Sequence, residues 1–300
     1  MIILNSSTLP KDLTEHLASK QLLIDTITGF DKKAKKAITL WKRKSSTNDS
    51  KLKFEKIRAL LYKLCISEGI CNYCENNESI DIEHIYPKSF HPEKCFIWLN
   101  YLLACKKCNM HHKSAKFAIF DPTGNVIKLK SPKGKAVIKK KPPKGKAVMI
   151  NPRIENAMDY LTLDIKGKTF LFVPISNNKN SKKYKKANYT LELLSLNERD
   201  ALVAARKKQG KNYVSDLQRY VKIKLASNKE EILQICDPLI ADDLDLKKSL
   251  ELLKSEIMAA IEKDIKTSSH PTVWKELIRQ RKNLNRTNKL FKQAPEALNW

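Results

Sequence analysis

The chain has few acidic residues for its length. Among 300 residues there are 32 Asp and Glu against 58 Lys and Arg, which gives a formal net charge of +26. A surface of this sign favours a polyanionic partner such as nucleic acid. The alternatives are a lysine-rich surface that only keeps the protein soluble, or the lysine bias of an AT-rich genome. No acidic residue occurs between Asp121 and Glu155, so the deficit is largest there.

Long apolar runs and aromatic residues are scarce as well. No run of about 18 apolar residues is present, which argues against a membrane-spanning helix. The first residues, MIILNSSTLPKDL, have no basic segment before their short apolar start, so they do not resemble a signal peptide. Aromatic residues make up 7%, too few for a surface built mainly from base-stacking platforms. With 42% hydrophobic residues, we expect a globular cytoplasmic protein with room for two domains.

Seven cysteines are present, and four of them form two close pairs. Cys71-x2-Cys74 and Cys105-x2-Cys108 have the spacing of a tetrahedral Zn²⁺ site. A shell of four thiolates leaves no open position, so this zinc would be structural and would pin a segment too short to build its own core. The alternatives are four unliganded thiols or a redox Cys-x-x-Cys, but two matched pairs favour metal.

The other thiols give information on the compartment. An odd cysteine count without a secretion signal indicates a reducing compartment rather than disulfides. We expect three cysteines to be buried apolar side chains: Cys65, Cys95 and Cys236.

Hydrophobic periodicity and turn residues predict a mostly helical α+β chain. Seven segments have apolar residues at helical spacing: 11–28, 52–67, 106–119, 197–226, 229–236, 242–265 and 271–293. Residues 80–85 alternate as a short strand, and residues 98–103 form a second strand or an extended turn. A hairpin over 161–174 is predicted to turn at Lys166-Gly167. The order around the cysteines is therefore strand, strand, helix.

These elements predict four parts: a helical segment 1–68, a compact core 69–120, a basic insertion with a β-hairpin 121–186, and a helical region 187–300. The third part contains a near-repeat, PKGKAVI from Pro132 and PKGKAVM from Pro143. Its lysines could contact phosphates, or the segment could be a solvated loop duplicated by slippage. The lysines concerned are Lys133, Lys135, Lys144 and Lys146.

The segment between the cysteine pairs contains residues suited to phosphodiester hydrolysis. That reaction needs an activated water, a cation on the scissile phosphate and stabilisation of the leaving oxygen. His84 is suited to be the general base. Glu83 offers a hard oxygen ligand for Mg²⁺, and the side-chain carbonyl of Asn109 could complete the site. Asn100 could hold the loop after His84 by hydrogen bonds and orient the ring.

Two residues that follow Asn109 in the sequence are added to this set. Lys113 and His112 follow it by four and three positions, so both are expected on its side of a helix. Lys113 could then meet a phosphate oxygen, and His112 is a possible second metal or phosphate contact. Each of these residues alone is more often structural, as a lone Asn is usually a turn or a cap. Their joint order inside the cysteine frame is what favours a site.

Residues 71–113 resemble an HNH endonuclease of the ββα-metal type with a four-cysteine zinc knuckle. The matching segments are CNYC from 71, IEHIYPK from 82, WLNYLL from 98 and CKKCN from 105. The resemblance implies a ββα-metal core in which His84 is the base and Asn100 is the central structural asparagine. It further implies that Glu83 and Asn109 act on a catalytic Mg²⁺ or Mn²⁺. DNA is the expected substrate, with RNA as the alternative, and the sequence leaves open whether the strand is duplex or single.

One position departs from the family pattern. A lysine commonly sits three residues after the last motif residue, where this chain has His112 followed by Lys113. Lys113 is therefore one candidate for the phosphate contact, and Lys88 at the end of the second segment is another.

The chain is also similar to a group of bacterial anti-phage defence nucleases, the Septu PtuB-like and retron-associated proteins. The similar positions are NP at 151–152, the hairpin after it, Thr190-Leu191, LSLNER at 194–199, and Arg206. This resemblance implies a bacterial cytoplasmic nuclease that works with an ATPase partner, can form a hetero-oligomer with it, and needs no membrane. Two alternatives stay open: a zinc-stabilised module that binds nucleic acid without cutting it, and an assembly subunit whose helical C-terminal half docks on the ATPase.

Overall fold

The computed structural model describes the whole chain except residues 2, 5–7, 66, 68, 77, 80, 131–137 and 237 and the side chains of residues 239 and 240. The described chain divides into two compact units. The first comprises Met1–Thr162 with Phe172–Arg199, and the second comprises Leu163–Leu171 with Asp200–Trp300. The mostly helical α+β class predicted from the sequence is confirmed.

The first unit combines four helices with short antiparallel strands. The helices are α1 (Lys11–Asp25), α2 (Phe30–Lys42), α3 (Asn48–Leu64) and α4 (Lys182–Leu194). Two two-stranded sheets lie wholly in this unit, formed by β1 (Asp81–His84) with β2 (Tyr101–Ala104), and by β3 (Phe117–Phe120) with β4 (Val126–Leu129). A third sheet pairs β5 (Leu161–Leu163) with β6 (Phe172–Pro174). Between β2 and β3 lies a π-helix, Lys107–Lys113, which we name the site helix.

The main core of this unit lies between the sheet β1–β2 and the helices α1 to α3. Side chains alternate across a strand, so one face of the sheet presents Ile82, Tyr101 and Leu103 to the helices. The helices contribute a cluster of buried apolar residues: Leu13, Leu17, Ile24, Ala37, Phe54, Ile57 and Leu61. At the start of α3, the Thr47 side chain accepts a hydrogen bond from the Ser50 amide and so caps the helix. Since the register pairs His84 with Tyr101, His84 lies on this core-facing side.

The second unit is helical. Its helices are α5 (Asp200–Leu225), α6 (Lys229–Ile235), α7 (Pro238–Asp242), α8 (Leu250–Thr267), α9 (Pro271–Gln280) and α10 (Asn285–Gln293). Trp274 packs between Tyr213 and Phe291 and stacks on Trp300. The buried guanidinium of Arg206 donates to the carbonyl of Phe170 at 2.7 Å, which fixes the segment Leu163–Leu171 to α5.

The structure corrects several predicted helices. The helix predicted over 106–119 is wrong after residue 113, because the apolar run Phe117–Phe120 is buried as a strand against β4. A short apolar run of this kind is ambiguous between helix and strand. The helix predicted over 242–265 begins only at Leu250, where Ser249 caps it, and the helix predicted over 271–293 is broken at Arg281–Asn283. The lysine-rich helix α2 was not predicted.

Other predictions from the sequence hold. The predicted hairpin over 161–174 is present as β5 and β6. The thiols of Cys65, Cys95 and Cys236 are buried, as predicted. No helix among the described residues combines the length and the apolar character needed to cross a membrane.

Gly210 of α5 allows a close approach that gives a test of the second unit. A Cβ at this position would lie 2.6 Å from the Phe170 ring and 3.3 Å from a methyl group of Val273. We expect Gly210→Ala to lower the free energy of unfolding by about 1 to 2 kcal/mol, because the overpacking outweighs the gain in helix propensity. Chemical denaturation followed by circular dichroism measures this change.

The control is Asn212→Ala, at an exposed position of the same helix. This variant should gain about 0.5 kcal/mol from helix propensity alone. Stabilisation of both variants to the same extent would contradict the close contact at Gly210.

Candidate active site and zinc centre

The four cysteines of the two pairs meet in one buried cluster. The sulfurs of Cys71, Cys74, Cys105 and Cys108 all lie within 4.8 Å of one another, and those of Cys74 and Cys105 are 3.9 Å apart. Zn–S bonds of about 2.3 Å in a tetrahedron place the sulfurs about 3.8 Å apart. The four thiols therefore fit a structural zinc ion, whose chemistry matches their soft donor set.

Arg199 provides a cation beside this cluster. Its Nη1 donates to the sulfur of Cys108 at 3.6 Å, and its Nε donates to the carbonyl of Ser195 just after α4. Four thiolates around a divalent ion would keep a net negative charge, so a guanidinium at this distance would stabilise the cluster when zinc is bound. The sequence alone did not predict this contact of Arg199.

One face of β1 is polar and meets the site helix. Asp81 and Glu83 share this face because they are two residues apart on a strand. The side-chain amide of Asn109 donates to the Asp81 carboxylate at 3.2 Å, and the ammonium of Lys113 forms an ion pair with Glu83. Asn109 and Lys113 thus lie on one side of the site helix, where the Ser114 amide donates to the Asn109 carbonyl five residues back.

The ion pair between Glu83 and Lys113 is buried. The Lys113 side chain is 0% exposed and that of Glu83 is 5% exposed, and Lys113 also donates to the carbonyl of His84 at 2.7 Å. Burial raises the pKa of Glu83, while the Lys113 ammonium opposes this shift. Lys113, which we predicted to contact a phosphate, is therefore placed inside the fold on a carboxylate and not at the surface.

The opposite face of β1 carries His84 into an aromatic cluster. The His84 ring centroid lies 4.2 Å from that of Trp41 and 5.2 Å from that of Tyr101. Its Nε2 is 2.9 Å from the carbonyl oxygen of Cys95. A carbonyl only accepts hydrogen bonds, so Nε2 carries the proton and Nδ1 holds the lone pair. Burial and the neighbouring Lys88 hold the pKa of His84 well below its usual value, so the ring is neutral at pH 7.

Asn100 holds the loop that follows His84. Its Oδ1 accepts from the Tyr86 amide at 2.7 Å, and its Nδ2 donates to the carbonyls of Tyr86 and Lys94. Its own carbonyl accepts from the Ile85 amide at 3.0 Å. Asn100 is buried, so its hydrogen bonds satisfy backbone groups of the loop that have no access to water.

The remaining predicted residues are dispersed. Lys88 lies near the site, with its ammonium 5.9 Å from the Trp41 ring centroid, and burial lowers its pKa. His112 is half-buried and lies near the cations Arg199, Lys107 and Lys116, and the metal contact predicted for it stays a prediction. The exposed Lys144 and Lys146 run beside β3, where the Phe120 amide donates to the Lys146 carbonyl, whereas Lys133 and Lys135 lie outside the described residues.

Two further site residues were missed. Asp81 could have been found, because it precedes Glu83 by two positions in an alternating strand and so shares its face. Trp41 comes from α2, more than forty positions before His84, and no sequence signal links the two.

Comparison of this chain with protein-family models, with curated proteins and with solved structures finds no match. The chemistry of the site is therefore inferred from the side chains that form it. The face towards the site helix has two carboxylates and a side-chain amide, which are hard oxygen ligands for a cation such as Mg²⁺. The other face has a neutral imidazole that can accept a proton.

The zinc fit predicts the effect of removing one thiol. Cys108→Ser should lose most of the bound zinc and expose the segment 69–113 to proteolysis, because a hydroxyl does not replace a thiolate ligand. Cys236→Ser is the control, since Cys236 is buried in the second unit. Zinc content and limited proteolysis measure the outcome, and full zinc occupancy in Cys108→Ser would contradict the four-thiolate site.

The buried ion pair predicts an asymmetric response to substitution. Glu83→Gln alone should lower the free energy of unfolding by about 3 to 5 kcal/mol, because it leaves the Lys113 ammonium buried without a carboxylate. The double variant Glu83→Gln with Lys113→Met should recover most of this loss. Chemical denaturation measures both values.

The control for this pair is Asp49→Asn, which breaks the exposed pair between Lys53 and Asp49 and should change stability little. A double variant as unstable as Glu83→Gln would show that the buried charge of Lys113 is not the cause.

Proposed function

We propose that this chain is a metal-dependent endonuclease of the HNH type that hydrolyses phosphodiester bonds of DNA. In this proposal β1, β2 and the site helix are the ββα-metal core. The observation that carries it is the position of Glu83 and His84 at the end of β1, with Asn109 of the adjoining helix on the Glu83 side. The cysteine cluster fixes the start of that helix, because Cys105 lies just before the helix and Cys108 lies in its first turn.

The donor set supports a catalytic cation. Glu83 and Asn109, with Asp81 beside them, would hold Mg²⁺ or Mn²⁺, and Mg²⁺ typically uses one or two protein carboxylates together with substrate phosphates. When bound, such a cation offsets negative charge on the scissile phosphate and on the leaving oxygen. The Lys113 ammonium already forms an ion pair with Glu83. A metal cation would therefore have to share Glu83 with Lys113 or displace Lys113 from it.

His84 has the protonation state that a general base needs. With Nε2–H held by the Cys95 carbonyl, Nδ1 accepts a proton from water while the water oxygen attacks phosphorus. The P–O bond to the leaving strand then breaks, and that oxygen takes a proton from solvent. Tyr101 also donates to the Cys95 carbonyl, at 2.7 Å, so the group that orients His84 is itself held. Asn100 keeps the following loop in place.

A second candidate function has its own support. His84 is 4% exposed and Glu83 is paired with Lys113, so the site as folded is closed around its two central residues. This favours a zinc-stabilised subunit that binds nucleic acid or assembles with a partner without cutting. The resemblance to defence nucleases implies an ATPase partner. A closed site is compatible with a nuclease that acts only in a complex with such an ATPase. The assays are therefore run on the chain alone and together with any ATPase encoded beside its gene.

The decisive variant is His84→Gln rather than His84→Ala. The ring is enclosed by aromatic side chains, so alanine would leave a cavity and confuse activity with stability. The glutamine amide can still donate to the Cys95 carbonyl but has no basic nitrogen. We expect Mg²⁺- or Mn²⁺-dependent nicking of plasmid DNA to fall by about 10²- to 10⁴-fold with unchanged zinc content.

His111→Gln serves as the control, because His111 is exposed on the site helix. It should cut at the rate of the unmodified chain. Cleavage by His84→Gln at that same rate rules out His84 as the base. Salt-dependent DNA binding without any metal-dependent cutting, with or without the ATPase, would favour the second candidate function.

A further inference from the structure

A basic groove lies on the first unit, beside β1. It has a volume of about 660 Å³ and lies between the outer face of α3 and the loop that joins α2 to α3. Glu55 is the one carboxylate that lines it among the described residues. The four cations that line it are Lys44, Lys51, Arg58 and Lys63. None of these four positions belongs to the insertion or to the motif from which the sequence predicted phosphate contacts.

The groove cations are available to a ligand. Within the described part of the chain, none of the four forms an ion pair with a carboxylate, whereas Lys53 of the same helix is paired with Asp49. Lys51, Arg58 and Lys63 of α3 and Lys44 of the preceding loop line one concave surface. A concave row of unpaired cations with one carboxylate favours a polyanion that can follow the groove.

Tyr62 adds an aromatic surface to this groove. Tyr62 is 42% exposed and lines the groove, while its ring lies against Gly69 on another side. Gly69 has φ of +73°, and a Cβ there would clash with the ring, so the glycine lets the tyrosine pack closely. An aromatic ring held at a basic groove is a platform on which an unpaired base can stack.

The groove leads to the proposed active site. Ile82 lines it, and Ile82 precedes Glu83 and shares the face of β1 that carries His84. Lys44 lines it as well, and its ammonium lies 4.8 Å from the ring centroid of Trp41, which packs on His84. A strand lying in the groove would therefore reach the residues around His84.

We propose that this groove binds a single-stranded segment of nucleic acid, with its phosphates on Lys51, Arg58 and Lys63 and a base on Tyr62. The inference rests on the proposed function for its substrate and deepens it, because it assigns the path by which a strand reaches the site. Bases in a duplex are paired and stacked, so Tyr62 favours an unpaired strand.

The test compares two triple variants of the full chain. The groove variant is Lys51→Gln, Arg58→Gln and Lys63→Gln, and the control variant is Lys32→Gln, Lys35→Gln and Lys56→Gln. The control removes the same charge from exposed positions of α2 and α3 outside the groove. Binding of a labelled single-stranded oligonucleotide is measured by fluorescence anisotropy over a range of salt concentrations, with zinc retained and no other divalent cation added. Circular dichroism checks that both variants are folded.

We expect the groove variant to bind about tenfold or more weakly, with the slope of log affinity against log salt reduced by about 2, and the control variant to change by less than about threefold. Tyr62→Ala should weaken binding by about tenfold, whereas Tyr62→Phe keeps the stacking surface and the affinity. Equal binding by the groove and control variants overturns the assignment. A duplex that binds as tightly as the single strand, and that is equally weakened in the groove variant, overturns the choice of an unpaired strand.

Binding and cleavage separate this inference from the proposed function. A chain that binds the strand in the groove but never cuts it supports the groove and contradicts the proposed hydrolysis. A chain that cuts, and whose groove variant binds as well as its control, contradicts the groove alone.

Discussion

The buried ion pair between Glu83 and Lys113 is the contact on which the arrangement of the site depends. A carboxylate that is 5% exposed cannot remain ionised without a close cation, because desolvation penalises its charged form. The cation comes from the last residue of the site helix, so the pair fixes that helix against β1. At the other end, Cys105 and Cys108 fix the start of the same helix in the thiol cluster. Asn109, between the two attachments, is thereby held beside Asp81.

The two faces of β1 divide the chemistry. The face with Asp81 and Glu83 supplies oxygen donors and contacts Asn109 and Lys113 of the site helix. The face with Ile82 and His84 belongs to the aromatic core. Adjacent residues on a strand point in opposite directions, so in the proposed reaction a phosphate would meet both Glu83 and His84 only at the end of the strand. His84 is the last residue of β1, and the loop beyond it is the one held by Asn100. The hydrogen bonds of Asn100 are therefore needed to keep the end of the strand in place.

Much of this arrangement could be predicted from sequence because it is local. The alternation of residues 80–85 predicts a strand with Glu83 and His84 on opposite faces, and the paired cysteines predict a cluster. The direction in which each face packs could not be predicted, because both faces are buried and the partners come from distant segments. Trp41 lies on α2, where the many lysines make the apolar side of the helix hard to recognise. Arg199 contacts Cys108, which lies 91 positions earlier in the sequence. Such contacts follow from tertiary packing, which local patterns do not encode.

The net positive charge alone does not show which cations of the chain can bind an anion. A net charge of +26 favours a polyanion, but it does not identify the lysines that meet one. Lys113, placed by a motif, is neutralised by Glu83 inside the fold, and the Arg199 guanidinium lies against the cysteine cluster. Lys51 and Lys63 belong to no motif, yet they line a groove in which Glu55 is the one carboxylate among the described residues. A motif lysine is therefore the weaker candidate for phosphate here, because affinity for an anion depends on cations that no internal carboxylate or thiolate already neutralises.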